Sequence, residues 1–164
     1  MASFQRKNSS SNASEGKKFE DRVRKLFKPV FGNMSEQIPV LVGIRENGKK
    51  EHKFDLVSDN AVIECKTMTW TEGGNCPSAK IQNWSEAMFF FYLLKTDKKK
   101  YFVVEESLNP KNNESLMDYY IRTHYHLIPS DVIFIEVSKT SDKYRVVKYD
   151  NLREEFLEVK DWTL

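Results

Sequence analysis

The sequence is poor in cysteine, and the two it has, Cys65 and Cys76, are not spaced as a metal-binding pair. With no CxxC and no histidine pair beside them, neither a zinc module nor a disulfide scaffold is expected. Any apolar run near the ~20 residues needed to cross a bilayer is also missing. The opening stretch, Met1 to Ser14, is polar where a secretory leader is apolar. The expected setting is cytoplasmic, with reduced thiols and no membrane partner. Charge of one sign is scarce as well, since the net value is only +2, too small to announce a nucleic-acid partner by itself. No internal repeat is visible, which excludes solenoids and propellers.

What is present is material for one globular core. The 164 residues are 40% hydrophobic and 30% charged, with eleven Phe and seven Tyr to fill an interior. The modest net charge is unevenly placed. Eight Lys and Arg stand against three acidic residues in positions 1–30, leaving the remainder net acidic. Residues 1–13 are rich in Ser, Asn and Lys with little to bury, and read as a flexible basic arm. A single domain is expected over 14–164.

Hydrophobic spacing then orders the elements. Ser14 is a cap for a first helix whose stripe Phe19, Val23, Leu26 and Phe27 ends before Pro29. Residues 37–44 and 53–58 are extended runs around a turn centred on Asn47-Gly48, so a hairpin is predicted. Ala61 to Thr67 (AVIECKT) follows as a third, central-looking strand. A long Gly- and Pro-containing loop leads to a second helix over 80–95, carrying Ile81, Trp84, Met88 and Phe91. Strands at 101–105 and 132–137 flank a helix at 114–125, and 144–149 is an edge strand. The run Lys98 to Lys100 is expected to be a solvated turn. The order is α-β-β-β-α-β-α-β-β, an α/β domain with a mixed sheet flanked by helices.

One constellation carries chemistry. Side chains alternate across a strand, so Glu64 and Lys66 share a face while Ile63 and Cys65 take the other. The preceding strand ends Phe54-Asp55-Leu56-Val57, and the short turn lets Asp55 approach Glu64. Two carboxylates supply the oxygens a hard cation such as Mg²⁺ prefers, with Mn²⁺ as a natural substitute. Beside them, the Lys66 ammonium can orient water or stabilise a developing phosphorane, so phosphodiester hydrolysis is the expected reaction. The plain alternative is a cross-strand salt bridge on an exposed sheet face, but charges are depleted from central strands.

Asp55, eight intervening residues, then Glu64-Cys65-Lys66 resembles the PD-(D/E)XK nuclease superfamily, which includes restriction enzymes, Holliday junction resolvases and repair nucleases. Phe54 stands where the motif's name has Pro. Gly16-Lys17-Lys18-Phe19-Glu20 is similar to the family's Gly-x-x-Phe-Glu helix, which implies that Glu20 points into the site. The resemblance further implies a restriction-endonuclease-like α-β-β-β-α-β core over about 14–105 and a metal held by Asp55, Glu64 and the Cys65 backbone carbonyl. It also implies a catalytic role for Lys66 and an auxiliary one for Gln82. It says nothing of the extension over 106–164.

The loop after the third strand offers Trp70, Asn75, Ser78 and Lys80 as DNA contacts. His124 and His126 lack companion ligands, and the aromatic run Phe89 to Tyr92 suits a core or a dimer face better than a base-stacking platform. The leading expectation is a metal-dependent DNA endonuclease making restriction-type cuts in double-stranded DNA, as a homodimer because two strands need two sites. A structure-selective repair nuclease or junction resolvase is the rival within the class. Outside it stands a non-catalytic nuclease-fold protein that binds DNA or a partner.

Overall fold

The computed structural model describes residues 9–159. Of the expected basic arm, residues 1–8 lie outside the described residues, whereas 9–13 already belong to the first helix. That helix, α1 (Ser9–Phe31), starts upstream of Ser14 and runs past Pro29. Phe19, Val23, Phe27 and Phe31 recur every fourth residue and are all buried. The expected stop before Pro29 is therefore corrected. Proline in a helix interior costs about 3 kcal/mol, but here it falls in the last turn, and continuing the helix places the Phe31 ring 4.6 Å from that of Tyr101. Gly32, with φ 74°, ends the helix by donating its N–H to the Lys28 carbonyl at 3.0 Å.

The hairpin consists of β1 (Ser35–Arg45) and β2 (Gly48–Val57), antiparallel over nearly their whole length. After the Ser58–Asn60 turn, β3 (Ala61–Lys66) pairs antiparallel with β2 at Leu56 and Val57. Then come α2 (Ser78–Leu93), β4 (Lys99–Glu105) and α3 (Leu116–His124), which continues into a 3₁₀ turn at Tyr125–Leu127. The described residues finish with β5 (Val132–Val137), β6 (Tyr144–Asp150) and β7 (Glu155–Val159). The result is a mixed α/β structure in which, among the described residues, seven strands lie side by side in chain order. The pairs β3/β4 and β4/β5 are parallel, and the rest are antiparallel.

Helices cover both faces. One apolar layer joins α2 and α3 to the sheet through Trp84, Met88, Phe91, Phe102, Tyr120 and Phe134. The other seats α1 on Leu56, Ile63, Tyr101, Val103 and Ile135. Parallel neighbours need a crossover between them, and α2 and α3 are those crossovers. Among the described residues no helix is long and apolar enough to cross a membrane.

Two expectations change in the second half. The strand over 144–149 is not the edge, because the Asp150 carbonyl accepts from Glu154 N–H at 2.7 Å and turns β7 back onto β6. The Lys98–Lys100 run is not a solvated turn either. Lys98 Nζ donates to the Ser58 and Asp59 carbonyls at 2.6 and 2.8 Å. Lys100 is 6% exposed, with Nζ on the Phe91 carbonyl at 2.8 Å and Asp131 Oδ2 at 2.7 Å. A lysine this enclosed needs those partners, because an unpaired buried ammonium is strongly disfavoured.

Candidate active site

The local fold of β2 decides where Asp55 sits. Phe54 is buried in the layer under α2, yet Leu56 is buried in the layer under α1. Residues two apart in a regular strand share a face, so β2 turns over at Asp55. Opposite, the β1 register runs from Glu36↔Leu56 to Ile38↔Phe54 and skips the pair between them. The skipped residue of β1, Gln37, has a left-handed backbone with φ 51°, a conformation that disfavours any side chain. Its Nε2 donates to Asp55 Oδ1 at 3.2 Å. The other oxygen, Oδ2, accepts from the Cys65 backbone N–H at 2.8 Å. Asp55 thus bridges the seam that opens where the β2/β3 pairing ends.

Glu64 and Lys66 project from β3 toward α2, as the strand alternation predicts. Lys66 Nζ donates to Glu64 Oε1 at 2.5 Å, and His52 Nε2 of β2 stands 3.7 Å from Glu64 Oε2. Glu64 is 6% exposed. Glu64 Oε2 and His52 Nε2 are both buried and neither has a hydrogen-bond partner.

The electrostatics follow from this crowding. Burial, with the Glu64 charge added, pushes Asp55 up to about 6 despite Lys66 and the Cys65 N–H pulling the other way. Burial also acts upward on Glu64, but His52 and Lys66 overcome it and hold that carboxyl below its ordinary value. Burial acts downward on Lys66, yet Glu64 and Asp55 win and raise it. At neutral pH Lys66 is therefore a fixed cation and not a base. Glu64 ionises first, and Asp55 then ionises against its charge.

These groups stand at a cleft of about 850 Å³ between α1, the end of β3 and α2. Glu15, Gly16 and Phe19 form one side, Lys80, Asn83 and Glu86 of α2 another, and Glu105 and Lys139 close the far end. Glu64, the Cys65 backbone segment and Lys66 lie along its floor. Asp55 is not part of the lining and sits in the seam beside it.

The other residues singled out from the sequence are placed as follows. Glu20 sits within electrostatic reach of Asp55, whose carboxyl its charge helps to raise, while Lys17 Nζ lies 3.5 Å from its Oε2. Lys80 lines the cleft, but Gln82 is exposed on α2 and Asn83 takes the cleft-facing position. Ser78 and Asn75 are exposed outside the lining. Trp70 is 8% exposed and packs edge-on against Tyr119 at 5.1 Å, so its indole belongs to the core and not to a DNA-facing surface. The loop that bears it is tied down, with Trp70 N–H on Ser107 Oγ at 3.1 Å and Asn109 Nδ2 on the Gly74 carbonyl at 3.2 Å. His124 stacks on Tyr120 at 4.8 Å.

Four residues near the site carried no sequence signal: Gln37, His52, Asn83 and Lys139. Alternation counted back from Asp55 puts His52 on the opposite face, and only the turn-over of β2 brings it to Glu64. Lys139 comes from the β5–β6 turn, far along the chain.

Among the described residues no group of three or more His, Cys, Asp and Glu side chains is arranged to hold a metal ion. A cation here would rest on the Asp55 and Glu64 carboxylates with the Cys65 carbonyl. The residues nevertheless fit a hard divalent cation. Asp55 and Glu64 supply two carboxylates from neighbouring strands, and the Asp55 carboxyl is raised by burial and then by the Glu64 charge, which a cation would offset. No family model, no curated protein and no solved structure matches the chain.

Proposed function

We propose that this chain is a divalent-cation-dependent deoxyribonuclease of the PD-(D/E)XK kind, acting in the cytoplasm on double-stranded DNA with restriction-type cleavage. The observation that carries the proposal is that Glu64 and Lys66 line one cleft with Asp55 in the seam beside it, the Glu64 charge adding to the burial that raises the Asp55 carboxyl. The element order α1-β1-β2-β3-α2-β4 supports a restriction-endonuclease-like core.

Asp55, Glu64 and the Cys65 carbonyl would hold Mg²⁺ or Mn²⁺. Such an ion would supply acidification of the attacking water and neutralisation of charge on the phosphate. Lys66, held positive by its acidic neighbours, stabilises the extra negative charge of the transition state through Nζ. Lys80 and Lys139, on two sides of the cleft, hold the nucleic-acid backbone by charge. Cutting both strands with one site per chain requires two copies, so the working unit is a homodimer.

The test is incubation of supercoiled, linear and four-way-branched DNA with Mg²⁺, Mn²⁺ or EDTA, comparing wild type with Lys66→Ala and Glu64→Gln. Metal-dependent cutting should fall by on the order of 10²–10³-fold in either variant. Preference for the branched substrate would replace restriction-type cleavage with a junction-selective activity. Binding without cutting by the wild type on every DNA form would reassign the chain as a DNA-binding module. An absence of both binding and cutting would remove DNA from the picture altogether.

A further inference from the structure

His52 is not part of the acidic pair or of the motif around it, yet aromatic rings hold it on two sides. It stacks on Phe90 of α2 with centroids 3.8 Å apart and planes 12° from parallel. Phe54 meets it edge-on at 4.7 Å and 85°. Two aromatic contacts at right angles fix both the plane of the imidazole and its direction. That direction brings Nε2 to within 3.7 Å of Glu64 Oε2, each atom buried and neither hydrogen-bonded elsewhere. Leaving two such atoms unsatisfied costs about 1–3 kcal/mol apiece, so closing the 3.7 Å separation to hydrogen-bond range is favourable. The Glu64 carboxylate is then divided between its neighbours, with Oε2 turned to the imidazole and Oε1 to Lys66 Nζ at 2.5 Å.

We propose that His52 is a positioning residue for the candidate metal site: its Nε2–H holds Glu64 Oε2 and so presents Oε1 to the cation in the cleft. The proposal rests on the nuclease reading, because it needs a cation at Glu64. A carboxylate ligand gains affinity when its second oxygen is held by a donor, since its rotamer is set before the ion arrives. Without that donor, Glu64 can be drawn wholly onto Lys66, which competes with the ion for the same oxygen. The aromatic clamp is what makes this holding stiff, and packing alone would not require a nitrogen at this point.

The experiment is calorimetric titration of the full chain with Mn²⁺ alone, using wild type, His52→Phe, His52→Gln and Glu64→Gln. His52→Phe keeps a stacked ring and deletes the donor, whereas His52→Gln gives up the ring and keeps a donor of similar reach. Mn²⁺ binding should weaken about tenfold or more in His52→Phe and return toward the wild-type value in His52→Gln. Wild-type affinity in His52→Phe overturns the proposal, as does an equal loss in both variants, which would make packing the cause. Should His52→Phe fail to fold by circular dichroism, His52→Gln decides, with retained affinity in support and lost affinity against. Binding that Glu64→Gln abolishes but His52→Phe leaves intact sinks this inference alone. If wild type takes up no Mn²⁺ that Glu64→Gln removes, the nuclease reading falls and this one with it.

Discussion

Two glutamates, Glu64 on β3 and Glu136 on β5, are 6% and 4% exposed, yet their surroundings differ in kind. They belong to one half of the same sheet, where Lys66, Val104, Glu136 and Arg145 lie directly abreast across four strands. Glu136 Oε2 receives Arg145 Nε at 2.6 Å, and the same guanidinium reaches Ser115 Oγ and Asp118 Oδ2, both at 2.8 Å. Ser115 caps α3 by accepting from Asp118 N–H. The arrangement is a strut that ties two strands to a helix start, with a guanidinium always charged and shaped for several acceptors. Burial dominates at Glu136 and leaves its carboxyl raised, whereas at Glu64 His52 and Lys66 win and leave it lowered. Glu64 shares a flexible ammonium, crowds a second carboxylate and opens on a cleft. A buried acid closed off by arginine serves the fold. Each glutamate keeps one buried oxygen without a hydrogen-bond partner, Glu64 Oε2 and Glu136 Oε1, so what leaves Glu64 available for chemistry is the cleft it faces.

The largest effect expected from testing this contrast is at the strut. Arg145→Met strands Glu136 without its cation and should lower stability by on the order of 3 kcal/mol in urea unfolding, while Mn²⁺ affinity per folded molecule stays unchanged. A loss below about 1 kcal/mol would mean that the strut is ornamental and the contrast false.

At the cleft the sign should reverse. Asp55 has its carboxyl raised to about 6 from an ordinary 3.8, so the native state holds its proton longer than the unfolded one. The stability this confers is complete below pH ~4 and is lost as pH rises through ~6. Asp55→Asn removes the ionisation and should stabilise the protein at pH 8 by on the order of 1–3 kcal/mol, with no gain at pH 3.5, while Mn²⁺ binding disappears. Thermal melts at the two pH values measure it, and a destabilised variant at pH 8 would refute the crowding.

The smallest effect concerns Gln37. Gln37→Gly relieves the left-handed backbone but deletes the amide that meets Asp55 Oδ1. Stability should change by less than about 1 kcal/mol, in the upward direction, as Mn²⁺ affinity drops several-fold. Unchanged affinity would demote Gln37 to an ordinary bulge.

How much of this was legible in the sequence depends on whether the controlling physics was local. Strand alternation sufficed to place Glu64 and Lys66 on one face, and three- and four-residue apolar spacing sufficed to find α1 and α2, though not the ends of α1. Alternation failed at Asp55, where β2 turns over in response to an opposing kink at Gln37, and so concealed His52. Trp70 read as a DNA contact on a surface loop because nothing in its neighbourhood announces Tyr119 some fifty positions on. Lys100 read as solvated because its partners, Phe91 and Asp131, come from separate elements. Pro29 read as a terminator because the ring that rewards a further turn belongs to β4. In each case a contact distant along the chain overrode a sound local rule.

The strict correspondence between strand order and chain order has a bearing on biogenesis. Every strand docks against the one synthesised just before it, so the sheet can accrete in the direction of translation with no vacancy to be filled by a later segment. Gln37, His52, Asp55, Glu64 and Lys66 fall within one stretch of thirty residues. The acidic centre can therefore be drafted while the ribosome still holds α2, which supplies the Phe90 that seals it. Such nearest-neighbour wiring keeps loop-closure entropy low for a mixed sheet and favours rapid, vectorial folding.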